Sequence, residues 1–551
     1  MKQKLSNISL SNIITDILIQ YNVKDVCICP GSRSTPLMLS FTKKKDFTCT
    51  SYIDERAAGF FTLGVAKASS KPSVILTTSG TAVGNLLPSV IEADLSKTPM
   101  VVITADRPKS LLNTGENQTI QQNNIFKNFV RGTAHIDLSD EGSIENLYMQ
   151  IDTLVRKSIG TIGKNPPGPI HLNISFDEPL IDKETPYELN IEQVISNAHY
   201  DNFMLPMCKY PIIVCGQLNT DDQSELIINL SKKLNCPILA DPLSQLRFNI
   251  KHPHIFSYYD SYIDSLTIKP DYIIRFGTKP ISKKLNKFLS SYKSNQMILF
   301  SDYKKYNDDV HAISIKDIDS VETLNQHNKN LVNHLVDLEQ KSKKILNNYY
   351  TNEYFFEGNI LHQSLKCLKN NDNLFIGNSL AVRNLEKFCP NSDRRIKVYS
   401  NRGASGIDGL IASAIGVSYH KKTERNILIL GDVSFFYDMN SLLIANQYNL
   451  NLSIIIINNK GGQIFNTLPY SNNIDDSLEF YWTTPVDLSI KECSKLYQAN
   501  YTSLKSIEDI KNKLNSKLDT KGLNIIEIEC DYKKTQAIEV EPNSTLKGDM
   551  K

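Results

Sequence analysis

The chain has 551 residues, 41% of them hydrophobic, and a formal charge of +2 from 61 basic and 59 acidic side chains. A charge so near balance gives no global pull toward nucleic acid or an acidic membrane surface, so any cationic site must be local. No apolar run reaches the ~20 residues needed to span a bilayer, and residues 1–9 lack the apolar core of a secretory signal. The length suits about three domains of ~100–200 residues each. Ten cysteines are too sparse for a disulfide scaffold, and Cys27 and Cys29 stand as CxC inside an expected strand rather than as a CxxC metal or redox pair. They read as reduced thiols of a cytoplasmic protein.

In chain order, Val26–Cys29 reads as a short strand ending in Pro30-Gly31-Ser32-Arg33-Ser34-Thr35-Pro36. Ser34 or Thr35 can cap the helix that follows, with Pro36 early enough to do no harm. Asp54-Glu55-Arg56 leads into a small-residue helix, Ala57–Ala68, in which Gly59 and Gly64 permit close packing. Val74–Thr77 is the next strand, and Ser79-Gly80-Thr81 opens a helix through Ile91. Met100–Thr104 is a strand ending at Ala105-Asp106-Arg107-Pro108, and Ile170–Ile174 closes the series. This alternation predicts a doubly wound α/β domain over 1–180.

Residues 180–205 read as a linker. A second α/β run over 181–354 carries strands at Pro211–Cys215, Pro237–Leu239, Tyr272–Phe276 and Met297–Phe300, then a long helix at Leu331–Tyr350. No Walker A or GxGxxG motif stands at these strand ends, which leaves a nucleotide role there without support. The third domain, 355–551, has strands at Leu374–Ile376, Ile396–Tyr399 and Asn524–Glu529, and a polar tail at Val540–Lys551 expected to fray. The expected fold is therefore three doubly wound α/β domains, each with a mostly parallel sheet flanked by helices.

The third domain also holds the most pointed chemistry. Asn426–Leu430 ends in Gly431-Asp432, and Ile454–Ile457 ends in Asn458-Asn459-Lys460-Gly461-Gly462, with room between for one helix and turns. This is the pattern of a parallel crossover, whose ligands gather beyond the carboxyl ends of the strands. A carboxylate, an amide oxygen and a loop carbonyl form a hard-oxygen set suited to Mg²⁺ beneath a diphosphate. Either turn alone is also ordinary loop chemistry.

Four motifs together resemble the thiamine-diphosphate-dependent enzymes, and more narrowly their menaquinone-pathway branch: Pro30–Pro36, Asp54-Glu55-Arg56, Asn401–Gly409 (Asn-Arg-Gly-Ala-Ser-Gly-Ile-Asp-Gly) and Asn458–Phe465. The likeness runs the length of the chain, strongest at both ends and thin in the middle. It implies that the first domain holds the cofactor's aminopyrimidine and the third its diphosphate, from different subunits of a homodimer or homotetramer. Glu55 matches the acid that exchanges a proton with the pyrimidine N1′. Asp432, Asn459 and the main-chain oxygen of Gly461 match the ligands of Mg²⁺ or Mn²⁺. Ile407 matches the residue that props the cofactor in its bent shape, and Ser32, Gln463, Ile464 and Phe465 match further cofactor contacts.

The substrates implied by the resemblance are 2-oxoglutarate and isochorismate, both dicarboxylates. Arginine suits bidentate carboxylate recognition, and Arg33, Arg107, Arg383 and Arg402 lie at or just beyond expected strand ends. Ser32, Asn117, Gln118, Ser379, Phe465 and Leu468 match other substrate contacts, and Lys283 and Lys284 match a basic pair in the middle domain. Three positions depart from the pattern: Val433 for a glycine, Lys460 for a small polar residue, and Lys284 where arginine is common. Two rivals remain open at this point: an acetolactate-type synthase or simple 2-oxoacid decarboxylase, and a catalytically silent ligand-binding member of the fold.

Overall fold

A computed structural model of the protein describes residues 5–139, 143–162, 165–189, 201–218, 223–301, 303, 310–314, 317–322 and 329–533. The expected polar tail at 540–551 and the middle of the expected linker, 190–200, lie outside the described residues. The chain divides into two compact units, one built from residues 1–198, 401–420 and 440–444, the other from 199–400, 421–439 and 445–551.

The first unit is organised on a six-stranded sheet. Its strands are β1 (Asp25–Ile28), β2 (Thr48–Ser51), β3 (Ser73–Thr77), β4 (Met100–Asp106), β5 (Thr133–Asp137) and β6 (Pro169–Ser175). They lie in the order β2-β1-β3-β4-β6-β5, and each pairing is parallel. Every residue of β3, β4 and β6 is buried, as in a parallel sheet covered on both faces. Because the strands share one direction, the turns after β1, β2, β3 and β4 all open at one edge.

The helix Glu55–Ser69 packs against Leu410–His420 at glycine positions that bring the two backbones into contact. A Cβ on Gly64 would lie 2.0 Å from the Ser413 carbonyl oxygen, and one on Gly416 would lie 2.2 Å from that of Phe61.

The second unit carries two six-stranded sheets. The central one comprises β8 (Pro211–Cys215), β9 (Ile238–Ala240), β10 (Ile255–Phe256), β11 (Tyr272–Phe276), β12 (Met297–Phe300) and β13 (Ala312–Ile313), ordered β10-β9-β8-β11-β12-β13. A small ribbon pairs β7 (Phe203–Met204) with β14 (Val321–Glu322). The last sheet comprises β15 (Asn373–Ile376), β16 (Lys397–Tyr399), β17 (Asn426–Gly431), β18 (Leu452–Asn458), β19 (Asn500–Leu504) and β20 (Leu523–Glu529). Its order is β16-β15-β17-β18-β20-β19, again parallel throughout. The three mostly parallel sheets, each with its helices, match the three doubly wound α/β domains that the strand and helix rhythm predicts. Within the second unit, Arg247 is fully buried, 2.9 Å from Glu386 Oε2, and donates to the carbonyls of Ser257, Glu386 and Cys389. It ties the segment after β9 to the helix Leu380–Phe388.

Several local expectations are corrected. The single helix expected from Ser79 to Ile91 is two, Thr81–Gly84 and Leu87–Leu95, because Pro88 lacks an N–H and its ring would clash with the carbonyl of Gly84. Ser34 takes the cap position of Thr35–Lys43, but its hydroxyl donates to the Gly31 carbonyl instead of capping. The stretch between β17 and β18 holds two short helices, Asp432–Asp438 and Leu442–Gln447, joined by a tight turn at Met439–Ser441. All ten cysteines are unbridged. Among the described residues no helix is long and apolar enough to cross a membrane.

Candidate active site

The carboxyl edge of the last sheet carries the hard-oxygen set. Asp432 is 2% exposed at the first position of its helix, and its Oδ2 accepts the Gly461 N–H at 2.8 Å. Burial pushes its carboxyl up to about 6, against the opposing pull of that amide. β17 and β18 are adjacent and in register from Asn426↔Leu452 to Gly431↔Ile457, so their ends emerge side by side. Gly461 has φ +128°, and a Cβ there would meet the Thr483 carbonyl oxygen at 2.7 Å. Only glycine lets the turn fold back to reach Asp432.

Asn459 is also buried. Its Nδ2 donates to Glu357 Oε1 at 2.8 Å, while its Oδ1 has no hydrogen-bond partner among the described residues. Glu357 explains that orientation: a carboxylate only accepts, so it takes the amide's N–H side and leaves the oxygen turned away. The second oxygen of Glu357 accepts from Asn384 at 2.8 Å, which fixes the carboxylate itself. Sequence reasoning missed Glu357, a lone glutamate at a helix start.

Lys460 points away from this set. Its ammonium lies 2.6 Å from Glu529, whose hydrogen bond and charge raise its pKa, and both side chains are largely exposed. Val433 is half-buried on the helix behind Asp432. Gln463, Ile464 and Phe465 form the tight turn Gln463–Thr467, ahead of Leu468. Phe465 is 43% exposed and leans on Trp482 with ring centroids 5.5 Å apart. A cavity of about 660 Å³ beside this turn is lined by Asn459, Gln463, Asn466, Ser471, Glu479 and Trp482, among others. Ser379, with φ +63°, precedes the helix bearing Arg383, whose guanidinium donates to the Ser379 carbonyl at 2.6 Å. Lys283 is exposed, and Lys284 donates to the Asp260 carbonyl at 2.9 Å within the central domain.

The first unit presents the other set. Glu55 opens its helix, half-buried, with Asn85 Nδ2 3.4 Å from its Oε2. Asp54 caps that helix through Ala57 N–H and accepts from Asn440 at 3.1 Å. Arg33 is 5% exposed, donates to the Phe176 carbonyl and lies 3.5 Å from Glu178. Ser32 is exposed beside it. Arg107 reaches the Asn117 carbonyl at 3.2 Å, and Gln118 packs over Gly80.

That loop is anchored by Gln122, which sequence reasoning also missed. Gln122 is 1% exposed, accepts from Gly80 N–H, and donates to the Ala105 carbonyl and to Asn173. Ile407 and Arg402 are both half-buried in the Asn401–Gly409 loop of the same unit.

Comparison with known proteins bears on this pair of sets. Residues 8–125 match the N-terminal binding domain of thiamine pyrophosphate enzymes, 179–376 the middle domain and 387–528 the C-terminal binding domain. The chain is 34% identical over 539 residues to a 2-succinyl-5-enolpyruvyl-6-hydroxy-3-cyclohexene-1-carboxylate synthase of Bacillus velezensis, covering 92% of each. It is 33% identical over 553 residues to the synthase of the same name in Listeria innocua, covering 94% of each.

The chain belongs to the thiamine pyrophosphate enzyme family. It stands in the branch of these synthases, which are thiamine-pyrophosphate-dependent transferases.

For this family member the donor set fits a divalent cation. Among the described residues no cluster of three or more His, Cys, Asp or Glu could hold a metal, so a cation at the last sheet would rest on one carboxylate, Asp432, with the Asn459 amide oxygen and the Gly461 carbonyl. These are hard ligands, and so few leave positions for water and phosphate oxygens, as Mg²⁺ prefers. The unpartnered, buried Asn459 Oδ1 is the observation that favours such an occupant. A buried acceptor without a partner costs ~1–3 kcal/mol, and a bound cation would remove that cost.

Proposed function

We propose that the chain catalyses decarboxylation of 2-oxoglutarate and 1,4-addition of the remaining four-carbon unit to isochorismate, with thiamine diphosphate and Mg²⁺ or Mn²⁺. The products are 2-succinyl-5-enolpyruvyl-6-hydroxy-3-cyclohexene-1-carboxylate and CO₂, in menaquinone biosynthesis in the cytoplasm. The single observation that carries this reading is the sharing of nearly the whole chain with synthases named for that product. The buried, unpartnered oxygen of Asn459 supports the metal.

Bound thiamine diphosphate supplies the electron sink for breaking and making the carbon–carbon bonds. The chain's residues do the rest. Glu55 exchanges a proton at the pyrimidine N1′. Asp432, Asn459 and Gly461 would hold the cation that serves the diphosphate, and Ile407 would prop the cofactor. Ser32, Gln463, Ile464 and Phe465 complete its surroundings. Arg33, Arg107, Arg383 and Arg402 bind substrate carboxylates, with Ser32, Asn117, Gln118, Ser379, Lys283, Lys284, Phe465 and Leu468 as further contacts. Residues 1–180 serve as the pyrimidine domain, 181–354 as the central domain and 355–551 as the diphosphate domain. A homodimer or homotetramer completes each site from two copies.

The test is to supply 2-oxoglutarate with and without isochorismate and weigh the products by mass spectrometry. A coupled adduct formed only with both substrates supports the reading. Consumption of 2-oxoglutarate alone at an undiminished rate favours a simple decarboxylase.

A further inference from the structure

The helix Leu87–Leu95 carries a glutamate that no motif marks. Glu92 is 2% exposed, a position where a carboxylate is tolerated only with partners. It has them. Oε1 accepts the Gly403 N–H at 2.8 Å, and Oε2 accepts Ala404 N–H at 2.7 Å and Ser405 N–H at 3.4 Å. Three successive N–H groups thus turn toward one carboxylate, with Ser405 at φ +62°, and form a backbone nest for an anion. Such nests commonly cradle phosphate; this one is filled by the protein's own carboxylate.

The surroundings make the contact stiff. Lys67 Nζ lies 3.5 Å from Glu92 and donates to Asn401 Oδ1 at 2.9 Å. Asn401 Nδ2 in turn donates to Ser413 Oγ, which donates to the Phe60 carbonyl. At the loop's far end, a Cβ on Gly409 would fall 1.9 Å from the Phe60 ring. The segment 401–409 is thus pinned at both ends to the helix that begins with Glu55, and in its middle to Glu92. Beneath it lies a cavity of about 240 Å³ lined by Phe60, Leu87, Ile91, Glu92, Ala404 and Asp408, among others. The loop could settle into that space if the nest were emptied.

We infer that Glu92 is a positioning residue for the Asn401–Gly409 loop, setting the placement of Arg402 toward substrate and Ile407 toward thiamine diphosphate. The inference rests on the proposed function for what those two residues meet, but the loop geometry stands by itself. Glu92→Ala empties the nest. Glu92→Gln keeps one acceptor oxygen but turns an NH₂ toward the donors. Ala404→Pro removes one N–H from the exposed, loop side and leaves the helix untouched.

Hydrogen exchange of the cofactor-free protein reads the loop directly, and calorimetry with thiamine diphosphate and Mg²⁺ reads its consequence. In Glu92→Ala the amides of 403–405 should exchange faster while those of β17 and β18 do not. The cofactor Kd should rise on the order of 10-fold or more, and turnover at saturating cofactor should fall about 100-fold, the effect of an ångström-scale misplacement. Glu92→Gln should be milder. Acetate, which can refill the nest, should restore part of the cofactor affinity to Glu92→Ala but none to Ala404→Pro.

A Glu92→Ala protein with unchanged exchange at 403–405, or with unchanged cofactor Kd, overturns the positioning role. So does a uniform loss of thermal stability without any change in Kd. Failure of the wild-type protein to bind thiamine diphosphate would instead overturn the proposed function together with this role.

Discussion

Asp432→Asn in the metal-free protein should stabilise the fold. Burial raises the Asp432 carboxyl from 3.8 to about 6, a shift worth ~3 kcal/mol at ~1.36 kcal/mol per unit. The folded state therefore holds the proton more tightly than the unfolded chain. The stabilising contribution is fully present below the unfolded value and is lost as pH rises through the folded one. Ionising the wild-type side chain therefore costs about 1.5 kcal/mol at pH 5, between the two values, and about 3 kcal/mol at pH 7, above both. Asparagine keeps an oxygen for the Gly461 N–H and never ionises.

Urea unfolding of both proteins in chelator should show the variant ahead, with the gap widening by about 1.5 kcal/mol from pH 5 to pH 7. Adding Mg²⁺ with thiamine diphosphate should reverse the order, because ligand that binds only the folded wild type stabilises only the wild type. A variant less stable than wild type at pH 7 without metal, or equal stabilisation of both proteins by metal and cofactor, refutes the reasoning.

Glu55→Gln should bind the cofactor within a few-fold of wild type and lose about 100-fold or more in turnover, as expected for loss of a proton-exchanging group; steady-state kinetics beside calorimetry checks it. Glu357→Gln removes the constraint that turns Asn459 Oδ1 outward, so Mg²⁺ titrations in the presence of cofactor should show ~10–100-fold weaker metal binding. Arg247→Met should cost ~3–5 kcal/mol by leaving the Glu386 carboxylate, 2.9 Å from the guanidinium and equally buried, without its counter-charge. Arg247→Met with Glu386→Leu should recover most of that in chemical denaturation, because an apolar pair leaves no buried charge behind.

The parts of the fold that could be read from sequence are those where burial on both faces writes a continuous apolar run. The apolar runs at Pro211–Cys215, Tyr272–Phe276 and Met297–Phe300 coincide with β8, β11 and β12 to the residue, and those of β17 and β18 end within two residues of the strands. Other elements carry weaker signals. The helix Asn7–Gln20 buries Asn7, Ser9, Ser11 and Thr15 as well as leucines and isoleucines, which blurs its apolar stripe. β2, with sequence Thr-Cys-Thr-Ser at a sheet edge, is polar at three of its four positions and exposed at two.

The candidate site divides in the same way. Asp432, Asn459 and Gly461 stood out because polar turns follow apolar strands. Glu92, Glu357 and Gln122 did not, since their meaning lies in partners far along the chain. Glu92 meets its loop 311 residues away, and Glu357 meets Asn459 at a separation of 102. No local pattern encodes such pairings.

The central claim is the coupled reaction. Purified protein with thiamine diphosphate, Mg²⁺, 2-oxoglutarate and isochorismate should yield the succinylated cyclohexene product in a one-to-one ratio with CO₂, and should yield none when either substrate or the metal is withheld. Release of CO₂ at full rate without isochorismate, or no product with all components present, would contradict the account.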